Sequence, residues 1–358
     1  MKDKKNRVEY CDLLRLIAII SVVFIHVFAD FRDYYLITNK NYYFILTLLD
    51  SFTRAGVPIF FMLTGVFMLN NNKDEKYSSF LKKRIPKLVI PFFIISIIYY
   101  IYEMIKINKE VSLIGFINLF TSNAIKYHFW FMYSIILIYL ILPFLKKMIQ
   151  ALNKTQLKNL IIIIFTSNIL SIIKVFSNLF NLNLFSGIIY PNLIIYINYL
   201  FLGYYLFKYD ISKKYKKNIY LLAIISLIIM PIGDYVLTNN LRADNLLVAI
   251  SPFPFLVATA LFILIKDNYQ KMKLNIQTKK FMSYTSNIIF YIYMIHVIVM
   301  EIVKKCLLRF INPDRFIVAG GFIVIEFILT FAISYILSML LNYLYNKTQE
   351  FITKKIPS

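Results

Sequence analysis

Long apolar stretches and short polar ones alternate along the whole chain of 358 residues. The apolar runs fall at 13–30, 44–69, 88–105, 128–145, 159–176, 188–207, 218–237, 246–265, 287–303 and 316–345. As helices, rising about 1.5 Å per residue, all are long enough to cross a hydrocarbon core. The last can also tilt or extend into the interface. The expected fold is an all-α integral membrane protein of about ten transmembrane helices, a single polytopic domain over 1–358 with no room for a separate soluble domain.

Composition agrees. Hydrophobic types make up 59% and charged types 16%, against about 45–50% and about 25% in soluble domains. The formal net charge of +22 would suggest nucleic acid in a soluble protein. Here the basic residues sit in short segments between runs, where they set topology and attract anionic lipid head groups. No basic groove interleaved with aromatics and no Gly-rich phosphate loop is present, so nucleic acid is not an expected partner. Segments on one side of the alternation (the N-terminus, 70–87, 146–158, 208–217, 266–286 and the C-tail) carry 27 Lys and Arg; those on the other carry 10. This bias places both termini in the cytoplasm. The outer segment 304–315, with Lys304, Lys305, Arg309 and Arg315, fits least well.

Cys11 precedes the first run and Cys306 follows the ninth, on opposite sides, which argues against a disulfide; two lone cysteines make no metal site. The first run follows a basic segment but has no small-residue cleavage site after it, and reads as a retained helix. No low-complexity segment or internal repeat is evident, which disfavours the commonest transporter architectures.

An ionisable residue inside a spanning helix is a functional candidate, because its insertion is costly. Arg15 and His26 share the first run. Eleven residues make about 16 Å of rise and about three turns, so both side chains leave one stripe of the helix. His296 lies near the middle of the ninth run, with Glu301 beyond it, and His128 opens the fourth beside Trp130, the only tryptophan. The plain alternatives are snorkelling for Arg15, packing for the two in-membrane histidines, and an interfacial belt for His128 and Trp130. Arg54 follows Asp50 by four residues, the spacing of a local ion pair. Asp12, Glu103, Asp234 and Glu326 are acceptable as helix-end residues, and Glu326, about ten residues into the last run, suits that reading least. Three histidines at different depths make a poor metal case, and no Gly-x-Ser-x-Gly elbow is present.

The motifs resemble the acyltransferase 3 family of bacterial membrane acyltransferases. The resemblance begins with Asp12-Leu13-Leu14-Arg15-Leu16-Ile17-Ala18 and His26, an Arg-x10-His arrangement. It continues with Val57-Pro58-Ile59-Phe60-Phe61-Met62-Leu63-Thr64-Gly65, in which Thr64 replaces the usual serine. Further matches are Phe80-Leu81-Lys82-Lys83-Arg84-Ile85-Pro86-Lys87 with Pro91, His128-Phe129-Trp130-Phe131-Met132-Tyr133 running on to Tyr139 and Pro143, and Ile292-Tyr293-Met294-Ile295-His296. It extends to stand-alone O-acetyltransferases of surface glycans, such as those acting on enterobacterial common antigen.

The resemblance implies an enzyme of the bacterial cytoplasmic membrane. Its acyl donor would be acetyl-coenzyme A or another acyl-coenzyme A, its acceptor a hydroxyl of a surface or cell-wall glycan or lipid-linked saccharide, and no metal is required. His26 carries over as the base with Arg15 its motif partner; on the layout of the chain His296 is a candidate second base or orienting group. Arg84 and Lys87, with Lys83 beside them, match the basic stretch where donor phosphates dock. His128, Trp130, Arg54 and Glu301 are candidates for acceptor contacts. A transporter or flippase of a glycan precursor is the competing reading, since buried charges suit that class too. A passive scaffold leaves the in-membrane histidines unexplained.

Overall fold

The computed structural model describes residues 8–70, 75–179, 192–241, 252–313 and 315–355. Among them every regular element is helical. In chain order they are α1 (Glu9–Thr38), α2 (Lys40–Thr53), α3 (Gly56–Leu69), α4 (Tyr77–Lys106), α5 (Leu113–Thr121), α6 (Trp130–Ala151), α7 (Lys154–Leu179), α8 (Asn192–Lys208), α9 (Lys213–Leu241), α10 (Phe253–Asn268), α11 (Ile276–Leu307) and α12 (Phe316–Lys355).

Seven described segments are long and apolar enough to cross a membrane: Glu9–Thr38, Lys40–Leu69, Tyr77–Lys106, Tyr127–Ala151, Lys213–Val236, Ile276–Leu307 and Phe316–Thr348. The remaining expected runs fall on α7, α8 and α10. The runs at 188–207 and 246–265 begin outside the described residues, as do parts of the expected loops at 177–187 and 238–245.

The chain divides into two compact units, one formed by residues 1–66 and 158–358, the other by 67–157. In the larger unit, contacts climb α1 and α11 in step. Glu9 meets Lys279 at 2.9 Å, Arg15 meets Ser286 at 2.9 Å, His26 faces His296, and Asp30 meets Lys304 at 2.5 Å. Such a constant offset means that α1 and α11 run parallel. The ring pairs Phe24–Phe327, Phe31–Phe322 and Tyr35–Phe316 run the opposite way along α12, which is therefore antiparallel to α1. Of the apolar window of α11, 61% is buried within the protein, against 28% for α12, so α11 is central and α12 peripheral.

Two local features shape the site. α1 continues past its expected end at residue 30 to Thr38, and a single residue then turns the chain. Asn39 closes α1 with its backbone N–H on Tyr35 O and opens α2 by accepting from the backbone N–H groups of Asn41 and Tyr42, which satisfies donors that a helix start leaves open. The expected run 44–69 is broken at Arg54 and Ala55. Pro58 has no N–H to offer the carbonyl four residues back, at Arg54, and its ring crowds that carbonyl, so the helix restarts at Gly56. Further along, Gly65 and Gly203 let α3 and α8 touch backbone to backbone. A β-carbon at Gly65 would sit 1.9 Å from Leu200 O, and one at Gly203 would sit 2.0 Å from Met62 O. Small residues at crossings are how apolar helices pack closely in lipid.

The smaller unit packs α4 against α5 and α6. Its core is aromatic: Phe92 lies 5.5 Å from Phe120, 5.2 Å from Phe129 and 5.2 Å from Tyr133, centroid to centroid.

Candidate active site

The imidazoles of His26 on α1 and His296 on α11 lie 5.2 Å apart, ring centroid to ring centroid, tilted by 34°. They meet because α1 and α11 run parallel with a fixed offset, which brings residues 270 positions apart to one level. His296 is fully buried. Its Nδ1 lies 2.6 Å from Tyr293 O. A carbonyl only accepts, so Nδ1 carries the proton and donates it, which leaves Nε2 as the nitrogen that can accept a proton.

Arg54 stands at the break between α2 and α3, within electrostatic range of His26. Its orientation is fixed by Asp50, which is fully buried. Arg54 Nε donates to Asp50 Oδ1 at 2.8 Å and its NH2 to Oδ2 at 2.8 Å, a bidentate fork. Arg32, on the far end of α1, donates from NH1 to the same Oδ2 at 2.5 Å. Two guanidiniums thus share the Asp50 carboxylate, while Arg32 also donates from Nε and NH2 to Asp33 Oδ1 at 3.3 and 3.1 Å, so the cluster sets two cations against two carboxylates. The i,i+4 spacing anticipates the Asp50–Arg54 pair. Arg32 was not anticipated, because it falls in a segment expected to be loop. The turn at Asn39, which folds α2 back along α1, is what brings it to Asp50.

Three turns along α1 from His26, Arg15 NH1 donates to Ser286 Oγ at 2.9 Å and lies 3.2 Å from Asp12 Oδ1. Both Arg15 and His26 therefore face α11, in keeping with their eleven-residue spacing. Asp12 precedes Arg15 by three residues, a spacing legible in the sequence, whereas no local signal points to Ser286. Nearby, Tyr269 donates to Glu9 at 3.2 Å; burial first, then the adjacent carboxylate, pushes its phenol up to about 12. Glu301 is half-buried on α11. Five residues past His296, it leaves the helix about 140° away from that histidine's face.

The smaller unit holds the other candidates in two groups. At the start of α4, Arg84 NH1 donates to Glu75 Oε2 at 2.6 Å and Lys83 Nζ to Glu75 Oε1 at 2.9 Å. Arg84 also lies over the Phe80 ring at 4.2 Å, and Lys87 is exposed. The bonds from Lys83 and Arg84 hold the Glu75 carboxyl below its ordinary value. His128 is buried against Tyr99, Tyr127 and Phe129, and Trp130 beside it is half-buried. Tyr99 stands fifteen residues beyond Arg84, about 22 Å along α4. The basic group and His128 therefore occupy opposite ends of that helix.

A family model described as an acyltransferase domain matches residues 8–345, nearly the whole chain. The chain belongs to the acyltransferase 3 family. No curated protein and no solved structure matches it. With the apolar helices, membership makes the protein a multi-pass membrane acyltransferase, which implies an acyl donor, an acceptor and contact with lipid. Among the described residues no group of three or more His, Cys, Asp or Glu is arranged to hold a metal ion.

Proposed function

We propose that this acyltransferase moves an acyl group, acetyl in the first instance, from acyl-coenzyme A in the cytoplasm to a hydroxyl of a surface or cell-wall glycan, in the bacterial cytoplasmic membrane. The observation that carries the reading is the facing pair His26–His296, flanked by Arg54 and set three turns from Arg15.

An alcohol is a weak nucleophile until a base takes its proton, and a positioned imidazole contributes about 10²–10⁴-fold to such a step. In the proposed reaction His26 accepts the acceptor's hydroxyl proton as the oxygen attacks the thioester carbonyl. The C–O bond forms, the C–S bond breaks, and His26 returns the proton to the departing sulfur. Charge develops on the carbonyl oxygen between these events. Arg54, held in place by Asp50, supplies positive charge that needs no rearrangement at that moment. His296, with its proton fixed on Nδ1, orients His26 or takes over as a second base. Arg84, Lys87 and Lys83 are exposed or part-exposed cations suited to a phosphate-rich donor. His128 and Trp130 remain candidates for acceptor contacts, as does Glu301.

Topology supports ten crossings with both termini in the cytoplasm. Seven alternating crossings would make α11 the sixth, antiparallel to α1. The parallel pair calls for an odd number of further crossings, and α7, α8 and α10 supply three. The Lys and Arg bias orients the bundle so that Arg15 and Arg84 lie toward the cytoplasm and Asp30 and Lys304 toward the outside. The Lys304–Asp30 pair also neutralises one of the outer cations that fitted the bias least well.

The test is direct. Purified protein in vesicles receives acetyl-coenzyme A labelled in the acetyl group, with a glycan acceptor. Label recovered as an alkali-labile ester on the glycan is the expected result. Movement of unmodified glycan across the vesicle membrane, with no ester formed, overturns the reading in favour of transport.

A further inference from the structure

The inner half of α12 is built inside out. Between Val324 and Thr348 four positions are buried, and all four are polar: Glu326, Thr330, Ser334 and Ser338. Ile328, Ile333, Ile336 and Leu340 are exposed. Repeated steps of four set the polar residues on one ridge of the helix, about 18 Å long. The ridge lies in the seam where α12 packs on α11 and α1.

Both carboxyl oxygens of Glu326 and the hydroxyls of Thr330, Ser334 and Ser338 are enclosed without a hydrogen-bond partner. Other buried hydroxyls in the protein solve this locally. Thr47, Ser51, Thr259 and Thr285 each donate to the carbonyl four residues back. The hydroxyls of the α12 ridge do not, so they point away from their own helix into the seam. Buried polar groups nearly always find partners, and a run of unmet ones is costly. Inside a membrane protein, polar side chains of this kind face water or a ligand.

The seam joins the two stations of α1. Phe327 meets Phe24, which sets Glu326 level with His26. Tyr335 meets Phe281 and Tyr284, which sets Ser334 and Ser338 near the level of Ser286, the partner of Arg15. At that end the Arg15 side chain is 25% exposed, a place for water to enter.

α12 is also free to move. Its outer end is pinned where Phe316 stacks on Tyr42 at 3.8 Å. Gly320 and Gly321 follow, and a β-carbon at either would meet no atom within 4 Å. Such pairs of small residues are where long helices bend. Lipid tails are as apolar as the side chains they cover, so a sideways shift of the helix gives up packing but exposes no apolar face to water.

We propose that α12 is a gate: by bending at Gly320–Gly321 it opens the seam to a file of water, which hydrates Glu326, Thr330, Ser334 and Ser338 and links the level of Arg15 with that of His26. The enclosed packing is the shut position. Water suits the ridge because hydroxyls both donate and accept, and the ridge offers no cation to hold an anion. The gate does not depend on the acyl-transfer reading.

The experiment uses full-length protein in nanodiscs. Thr330→Cys and Ser334→Cys, close in size to the residues they replace, are made in a Cys306→Ser background that leaves only the buried Cys11. Each is treated with a charged methanethiosulfonate, which reacts with thiols in water. Both are expected to be labelled about tenfold faster than Ile336→Cys on the lipid face, where a charged reagent is strongly disfavoured. Ser338→Ala, added to Thr330→Cys, removes an unmet hydroxyl from the shut seam. It is expected to slow the labelling severalfold and to raise the midpoint of thermal unfolding, because the shut packing loses a cost and the open one loses a hydrated group. No labelling at either seam position, with or without acetyl-coenzyme A, overturns the gate. So does labelling of Ile336→Cys at the seam rate. A lowered unfolding midpoint in Ser338→Ala with unchanged labelling also overturns it and makes Ser338 an ordinary packing residue.

Discussion

The polar residues of α1, α2 and α11 and those at the start of α4 carry charge in opposite ways. In the first group local pairs such as Asp50–Arg54 and Asp12–Arg15 are tied together by contacts between different helices: Arg32 to Asp50, Arg15 to Ser286, His26 to His296. The central carboxylate, Asp50, is fully buried. In the second group the contacts are local in sequence. Glu75 takes Lys83 and Arg84 from eight and nine residues on, and the Lys83 side chain is 66% exposed. Low dielectric makes charges in the first group strong and unforgiving, whereas water screens those in the second. The first is built to hold reacting groups still. The second can exchange one anion for another.

The sharpest way to break this contrast is at His26. His26→Ala is expected to lower acyl transfer by about 10²–10⁴-fold, while the protein still inserts in the membrane. Transfer of label to glycan, normalised to protein in washed membranes, checks it; full activity in the variant would remove His26 from the chemistry. Stability responds most strongly one helix away. Asp50→Ala leaves Arg32 and Arg54 without their shared carboxylate, and removing one partner from a buried ionic cluster costs about 3–5 kcal/mol. Thermal unfolding in detergent should show a large drop, and Glu75→Ala none that can be measured. Equal shifts in the two variants would mean that the clusters do not differ as described.

The same contrast explains what could be read from the chain alone. Apolar runs marked helices because lipid and core both demand them, and the eleven-residue step from Arg15 to His26 fixed a common face because helix geometry is local. The i,i+4 pair Asp50–Arg54 was legible for the same reason. Arg32 and Ser286 were not, since each depends on which helices lie side by side. The break before Gly56 had a visible cause in Pro58, but a run of apolar residues hid it. The orientation of His296 toward Tyr293 O depends on side-chain geometry that no spacing encodes.

A smaller effect separates binding from chemistry. Arg84→Gln removes a cation from the exposed group without touching the imidazoles. It is expected to raise the KM for acetyl-coenzyme A about tenfold, the worth of one charge-assisted hydrogen bond, with kcat nearly unchanged. The wild-type KM should rise with ionic strength, and the variant's less steeply. A fall in kcat with unchanged KM would instead move Arg84 from donor docking into the chemical step.

The smallest expected effect concerns Glu75. Its carboxylate occupies the donors of Lys83 and Arg84 that a phosphate would need, so the two anions compete. The bonds from Lys83 and Arg84 depress its pKa below the ordinary value of 4.5, so the carboxylate is fully ionised at neutral pH. The ion pairs are present above that value and are lost only as pH falls through the lowered one. Glu75→Gln removes the competitor, and because an exposed pair is weak the KM for acetyl-coenzyme A is expected to fall only about two- to threefold. The difference from wild type should be constant between about pH 6 and 8, a window that lies wholly above the carboxylate's titration. A higher KM in the variant would show that Glu75 aims Arg84 at the donor. The exposed cluster would then be preorganised like the buried one, and the distinction between a rigid site and an exchangeable one would fail at this end of α4.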